Sequence, residues 1–227
     1  MGIRRDILGL MLIGSGLAFE TASSADVVLL SQQRTVTATA TSVRTGSASD
    51  FSDWSSNKLF YQAGSAGYWI GAAQYSSFQP DGATAMGQSV YAEGSTRSEL
   101  AGSSGPSRTS TWTASSVFEF VFRVDSVQFI NVFISTNWTG SGSVQASLQN
   151  TGSGSMIWQL GGPGNENVMH QLAVGTYRFR VAASSSLDTV GNGGDSLYNL
   201  GIGFTPVPGP SALCMVALSA FLRRRRT

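Results

Sequence analysis

Val117-Phe118-Glu119-Phe120-Val121-Phe122-Arg123-Val124 alternates large apolar side chains with charged or smaller ones. A strand turns successive side chains to opposite faces, so Phe118, Phe120, Phe122 and Val124 share one side, and Glu119, Val121 and Arg123 the other. A helix would scatter the three phenylalanines around its circumference. The period of two therefore predicts a half-buried strand, with Glu119 facing solvent or a cross-strand arginine. Just downstream, Phe129 to Ser135 gives a second strong strand signal. Gly140-Ser141-Gly142 then leads into Ser143 to Gln149, and Thr151-Gly152-Ser153-Gly154 leads into Met156 to Leu160; both junctions read as hairpins. Within Leu172 to Val181 a turn at Gly175 precedes a strand with Tyr177, Phe179 and Val181 on its inner face, and Gly201 to Phe204 would close the sheet.

Upstream the pattern is weaker but of the same kind. Asp26 to Leu30 and Arg34 to Val43 open the series, with Thr35, Thr37, Thr39 and Thr41 on one face and Val36, Ala38, Ala40 and Ser42 on the other. Tyr68 to Gln74 and Ser89 to Glu93 are further strands. Asp50 to Phe60 and Gly94 to Thr113 lack clean alternation and are expected to be long loops. No long helical periodicity interrupts Asp26 to Thr205. About nine short strands with Gly-rich turns predict an all-β domain over residues 26–205, a two-sheet antiparallel β-sandwich of jelly-roll type, with a closed barrel as the runner-up.

Composition narrows the function. Charged residues make up only 12% of 227, against 41% hydrophobic ones and 27 glycines, so Ser, Thr, Asn and Gln must supply most of the polar surface. Arg4, Arg5 and four terminal arginines account for six of the 14 basic residues, and Asp6 and Glu20 for two of the 13 acidic ones. The body that remains is weakly acidic and has Lys58 as its single lysine. It lacks the positive field that nucleic-acid binding needs, and that class is excluded. The one cysteine, Cys214, lies near the carboxyl end, so the body has no internal disulfide and depends on packing.

The two ends carry addresses. Residues 1–25 have basic Arg4-Arg5, an apolar stretch from Ile7 to Phe19 and small residues from Thr21 to Ala25, the three parts of an export signal. Cleavage is expected between Ala25 and Asp26, with Ser23 and Ala25 in the small pockets of signal peptidase. Ile7 to Ile13 is apolar on every side, unlike the single stripe of a surface helix. Arg4-Arg5-Asp6-Ile7-Leu8 is also similar to a twin-arginine signal, without its flanking Ser and Lys. At residues 206–227, Pro206-Val207-Pro208-Gly209-Pro210 precedes an apolar run from Ser211 to Leu222 and then Arg223-Arg224-Arg225-Arg226. The arginines hold the end of the chain in the cytoplasm, so the body should lie on the other side of the inner membrane. As a helix the run would rise only about 18 Å, but snorkelling arginine stems and the uncharged Phe204 to Pro210 extend its reach.

From Thr205 to Thr227 the chain resembles a PEP-CTERM sorting signal, with Val207, Pro208, Gly209 and Pro210 as a variant motif in which glycine replaces the family's central glutamate. The resemblance implies a C-terminal transmembrane helix that anchors the protein transiently. It also implies processing near the proline motif by an exosortase, a multi-pass membrane cysteine protease, and delivery to the envelope or extracellular matrix. Leu172 to Val181 loosely resembles the β-rich bodies of such proteins, which brings no activity with it.

Chemistry in the body is sparse. His170 is the only histidine, which removes histidine-rich metal sites and a Cys/His dyad; no Gly-x-Ser-x-Gly elbow precedes a helix, and His170 is expected at a strand edge. Glu93, Glu99, Glu119 and Glu166 show no spacing that marks two as glycosidase partners. Asp188, Asn192 and Asp195 in a Gly-rich loop offer oxygen ligands to calcium, although turn chemistry alone accounts for them. No metal, cofactor or catalytic residue is expected. Among five tryptophans, Trp69 and Trp158 sit in strand-like segments and should be buried. Trp54 and Trp138 lie near loops and are the candidates for stacking on a polysaccharide. The expected function is a non-enzymatic structural or adhesive role outside the cell, with a glycan-binding module as the alternative.

Overall fold

A computed structural model describes residues 27–62, 67–79, 89–100 and 111–207. Twelve strands build it: β1 (Val27–Thr39), β2 (Val43–Ser47), β3 (Trp54–Gln62), β4 (Tyr68–Gln79), β5 (Ser89–Leu100), β6 (Trp112–Val124), β7 (Gln128–Gly140), β8 (Ser143–Asn150), β9 (Met156–Gln159), β10 (Gly164–Leu172), β11 (Gly175–Leu187) and β12 (Gly194–Pro206). They form two six-stranded antiparallel sheets, ordered β2-β1-β6-β11-β8-β9 and β10-β7-β12-β5-β4-β3. Each sheet keeps two edges, so the domain is two layers and not a closed barrel. Among the described residues no helix is long and apolar enough to cross a membrane; Ser211 to Leu222 lies outside them.

The phenylalanine strand sits where its alternation requires. β6 is flanked by β1 and β11, and Phe118, Phe120, Phe122 and Val124 are fully buried. Phe120 packs on Phe78 of the opposite sheet at 5.7 Å between centroids and on Phe179 of β11 at 5.8 Å. Ile130, Val132 and Ile134 of β7 and Tyr198, Leu200, Ile202 and Phe204 of β12 face them to form the main core. On the other side of β6, Glu119 lies 3.5 Å from both Arg178 and Arg180, the expected cross-strand pairing.

A second, smaller core gathers Val36, Ala38, Phe60, Ile70, Trp112 and Leu187. Polar side chains are also buried in the interior. Thr96 and Ser196 share a hydroxyl hydrogen bond of 2.7 Å, Ser98 donates to the Ser186 carbonyl at 2.7 Å, and Ser116 lies 3.4 Å from both Gln74 Oε1 and the Tyr198 hydroxyl. Burial raises the Tyr198 pKa, so this phenol stays neutral.

These polar positions explain where the pattern misleads. β5 continues to Leu100 through a stretch expected as loop, because its inward side chains there are Gly94, Thr96 and Ser98, which carry no hydrophobic period. β6 likewise begins at Trp112, and residues 101–110 lie outside the description. The expected Asp50 to Phe60 loop contains β3, an edge strand whose inward positions are Trp54, Ser56, Lys58 and Phe60. The expected strand from Arg34 to Val43 is two strands, broken by a turn in which the Ala40 amide donates to the Ser42 carbonyl at 3.0 Å.

Connections differ too. Thr151 to Gly154 does close a hairpin between β8 and β9. Gly140 to Gly142 instead carries the chain from one sheet to the other, since β7 pairs with β12 and β10 while β8 pairs with β11 and β9. Gly140 has φ +54°, and a Cβ there would run into the Gly193 carbonyl, so this crossing needs glycine. Gly201 to Phe204 belongs to a central strand, not a closing one.

Candidate functional site

The outward face of the second sheet has a concavity that brings polar and aromatic groups together. Strand alternation turns Trp69, Gly71 and Ala73 of β4, Ser95 and Arg97 of β5, and Asp195 and Leu197 of β12 to this side. Because Gly71, Ala73 and Ser95 are small, the sheet surface is hollowed between larger neighbours. The result is a groove of about 410 Å³, bounded by Trp69, Arg97, Asp195, Leu197, Asn57 and Asn137.

Its charged end is held by mutual contacts. The Arg97 guanidinium lies over the Trp69 ring at 5.5 Å, an arrangement that aims the cation at the ring's negative face. Arg97 Nε donates to Glu99 Oε2 at 2.8 Å, and Asp195 stands 3.9 Å away. The bond to Glu99 raises the Arg97 pKa, and Asp195 adds to the effect. Tyr61 meets the indole edge-on at 5.2 Å and braces it from β3. An indole that carries a guanidinium on its ring, a carboxylate and two amides over a floor of small residues put apolar surface beside hydrogen-bonding groups, a lining that suits a ring with both CH and hydroxyl groups.

The tryptophans are thus distributed otherwise than the sequence indicates. Trp158 is buried and stacks on Phe179, as expected. Trp69 is half-buried on the outer face, a correction that follows from its register: Ile70, next to it, takes the inward place. Trp54 opens β3 at an inward position and packs beside Arg34, whose guanidinium lies 5.8 Å from its ring. Trp138 borders the groove but has an inward register and packs against the main core. The fold does not bring Trp54 together with Trp138; both are partly buried, as Trp69 is, and Trp138 lines the same groove as Trp69. Alternation around Ile70 in Tyr68 to Gln74 was the available signal for Trp69.

Other singled-out residues are accounted for locally. His170 lies in edge strand β10, half-buried. Glu166 accepts from Trp158 Nε1 at 3.1 Å and from the Gly161 amide at 2.9 Å, while Glu93 accepts from the Tyr91 hydroxyl at 3.0 Å. Asp188 accepts from the amides of Val190 and Asn192 and from Asn192 Nδ2, at 3.0, 2.7 and 2.7 Å, which ties the Gly-rich loop by turn chemistry. Desolvation pushes the Asp188 pKa up, but the hydrogen bonds from Asn192, Gly191 and Val190 outweigh it and hold the pKa below the usual carboxylate value. Asp195 points instead toward Arg97 on the outer face. No group of three His, Cys, Asp or Glu side chains gathers as a metal site among the described residues.

Of the terminal motifs, Pro206 and Val207 are described: Pro206 ends β12, and the Val207 amide donates to the Val127 carbonyl at 3.4 Å. Ala25, Asp26, Pro208, Gly209, Pro210 and Arg223 to Arg226 lie outside the described residues. No protein-family model matches the chain, and no curated protein matches it in sequence.

Proposed function

We propose that this chain is an exported, non-catalytic protein of the cell envelope or extracellular matrix, with an adhesive role in which the groove beside Trp69 holds neutral carbohydrate. The observation that carries binding is the groove itself: the Trp69 indole with Arg97 lying over it, Asp195, Asn57 and Asn137 converge on a floor of small residues. Sugars bring both chemistries that such a lining answers, CH groups for the indole and hydroxyls for the amides and charges.

Delivery rests on the two ends. Signal peptidase would cut between Ala25 and Asp26, and an exosortase would cut near Val207-Pro208-Gly209-Pro210 after transient anchoring by Ser211 to Leu222. β1 starts at Val27 and β12 ends at Pro206, so both cuts would leave every strand whole. The sandwich is read as a jelly-roll variant because the connections after β2, β5, β6, β7, β9, β10 and β11 each pass to the other sheet.

Affinity electrophoresis of the full chain through gels containing neutral polysaccharides tests the binding. Retardation is expected in at least one gel, and Trp69→Ala should weaken it by about 30-fold, the loss of a stacking anchor worth ~2 kcal/mol. Retardation that survives Trp69→Ala, or none in any neutral gel, would leave a purely structural role in the matrix.

A further inference from the structure

The outer face of the second sheet has another depression, of about 370 Å³, on the same central strands. Its floor is Gly201 and Gly203 of β12. Gly201 is the register partner of Tyr91 on one side and Phe133 on the other, and Gly203 of Ser89 and Asn131. Two strand spacings set the Tyr91 and Phe133 backbones roughly 10 Å apart, so two aromatic side chains stand on either side of bare backbone. Both are well exposed, Tyr91 at 37% and Phe133 at 45%.

Neither glycine is required by the fold. Neither has a positive φ, and a Cβ built on either meets nothing within 4 Å. Glycine weakens a central strand, and these two stand where any β-branched residue would fit. What their bare backbone does is keep the slot open.

The slot and the Trp69 groove lie in line along β12. Leu197, at the groove, and Gly201 are four residues apart, about 13 Å along the strand. Between them Asn199 Nδ2 donates to the Tyr91 hydroxyl at 3.2 Å, which donates to Glu93 Oε2 at 3.0 Å, and Tyr75 sits 5.9 Å from Tyr91. The connecting surface is therefore amide, phenol and carboxylate. Among the described outward side chains of β3, β4, β5, β7, β10 and β12, the charged ones are Glu93, Glu99, Asp195 and Arg97. Three carboxylates against one cation disfavour an acidic polymer.

We infer that one neutral polysaccharide chain lies along β12 and occupies the Trp69 groove and the Tyr91–Phe133 slot together. This rests on the carbohydrate reading of the groove. A single sugar would use one depression; a chain long enough to reach both gains affinity from the second contact.

The test is titration calorimetry of the full-length chain with neutral gluco-, manno-, xylo- and galacto-oligosaccharides of two to ten residues, with polygalacturonate alongside. In one series, affinity should rise by at least about tenfold from short to long oligosaccharides. The double variant Gly201→Val/Gly203→Val should keep or raise the melting temperature, bind the short members as before and lose the rise with length. Phe133→Ala, at an exposed wall, should lose most of it too. Binding of short members with no rise in the native chain, or the same rise in both variants, overturns the inference and leaves the Trp69 groove as a single site. No binding to any neutral series overturns both, and binding to polygalacturonate alone overturns the choice of a neutral ligand.

Discussion

Gly94 and Arg34 show how strongly single positions bind this sandwich together. A Cβ on Gly94 would overlap the buried Tyr198 ring and Ser116 hydroxyl, so the two sheets approach closely there because the side chain is missing. Gly94→Ala should cost about 1–3 kcal/mol by overpacking, read from chemical denaturation. Arg34 is a buried cation that forms no ion pair among the described residues. Its Nε donates to Gln32 Oε1 at 3.0 Å, its Nη1 to the Ser52 carbonyl at 2.8 Å and Ser76 Oγ at 3.2 Å, and its Nη2 to the Asp50 carbonyl. Phe78 and Trp54 cover the guanidinium at 5.2 and 5.8 Å. Desolvation lowers its pKa, yet an arginine stays charged throughout the range of folding. Arg34→Ala should cost about 2–4 kcal/mol and speed amide exchange in residues 48–53, which it pins to the sandwich. At Asp188 the depressed pKa fixes a sign. Its hydrogen bonds contribute above the unfolded-state pKa and are lost as pH falls through the lower folded value. The Val190 and Asn192 amides should therefore lose protection on acidification, while Asp188→Asn weakens the loop at neutral pH.

At the level of elements, strands with an apolar inward face were legible and those with a polar inward face were not. β6 and β11 announce themselves through Phe118, Phe120, Phe122, Tyr177, Phe179 and Val181, all of them buried. Phe120→Ala should cost about 3–5 kcal/mol, because the ring is fully enclosed and packs against aromatic rings from both sheets. The later part of β5 hides Thr96 and Ser98, and β3 turns Ser56 and Lys58 inward, so hydrophobic period says nothing about either strand. Turn residues mark a change of direction without naming the partner: Gly140-Ser141-Gly142 looks like a hairpin, yet the Gly193 carbonyl beside Gly140 belongs to a crossing between sheets. Register decided the tryptophans. Proximity to loops favoured Trp54 and Trp138, whose inward register packs each against a core, while Trp69, near the start of β4, faces out and shares its groove with Trp138.

Across the whole molecule, the core and the outer face divide the labour. Facing apolar surfaces hold the sheets together without a disulfide, which leaves the outer face of the second sheet free to carry Trp69, Arg97, Tyr91 and Phe133. Such a face serves adhesion only if the body reaches the outside of the cell intact, with β1 and β12 spared by processing. Intact-mass measurement of the protein recovered from its native host tests this most directly. The expected mass begins at Asp26 and ends near the Val207-Pro208-Gly209-Pro210 motif, without Arg223 to Arg226. A cytoplasmic species with the mass of all 227 residues would contradict it.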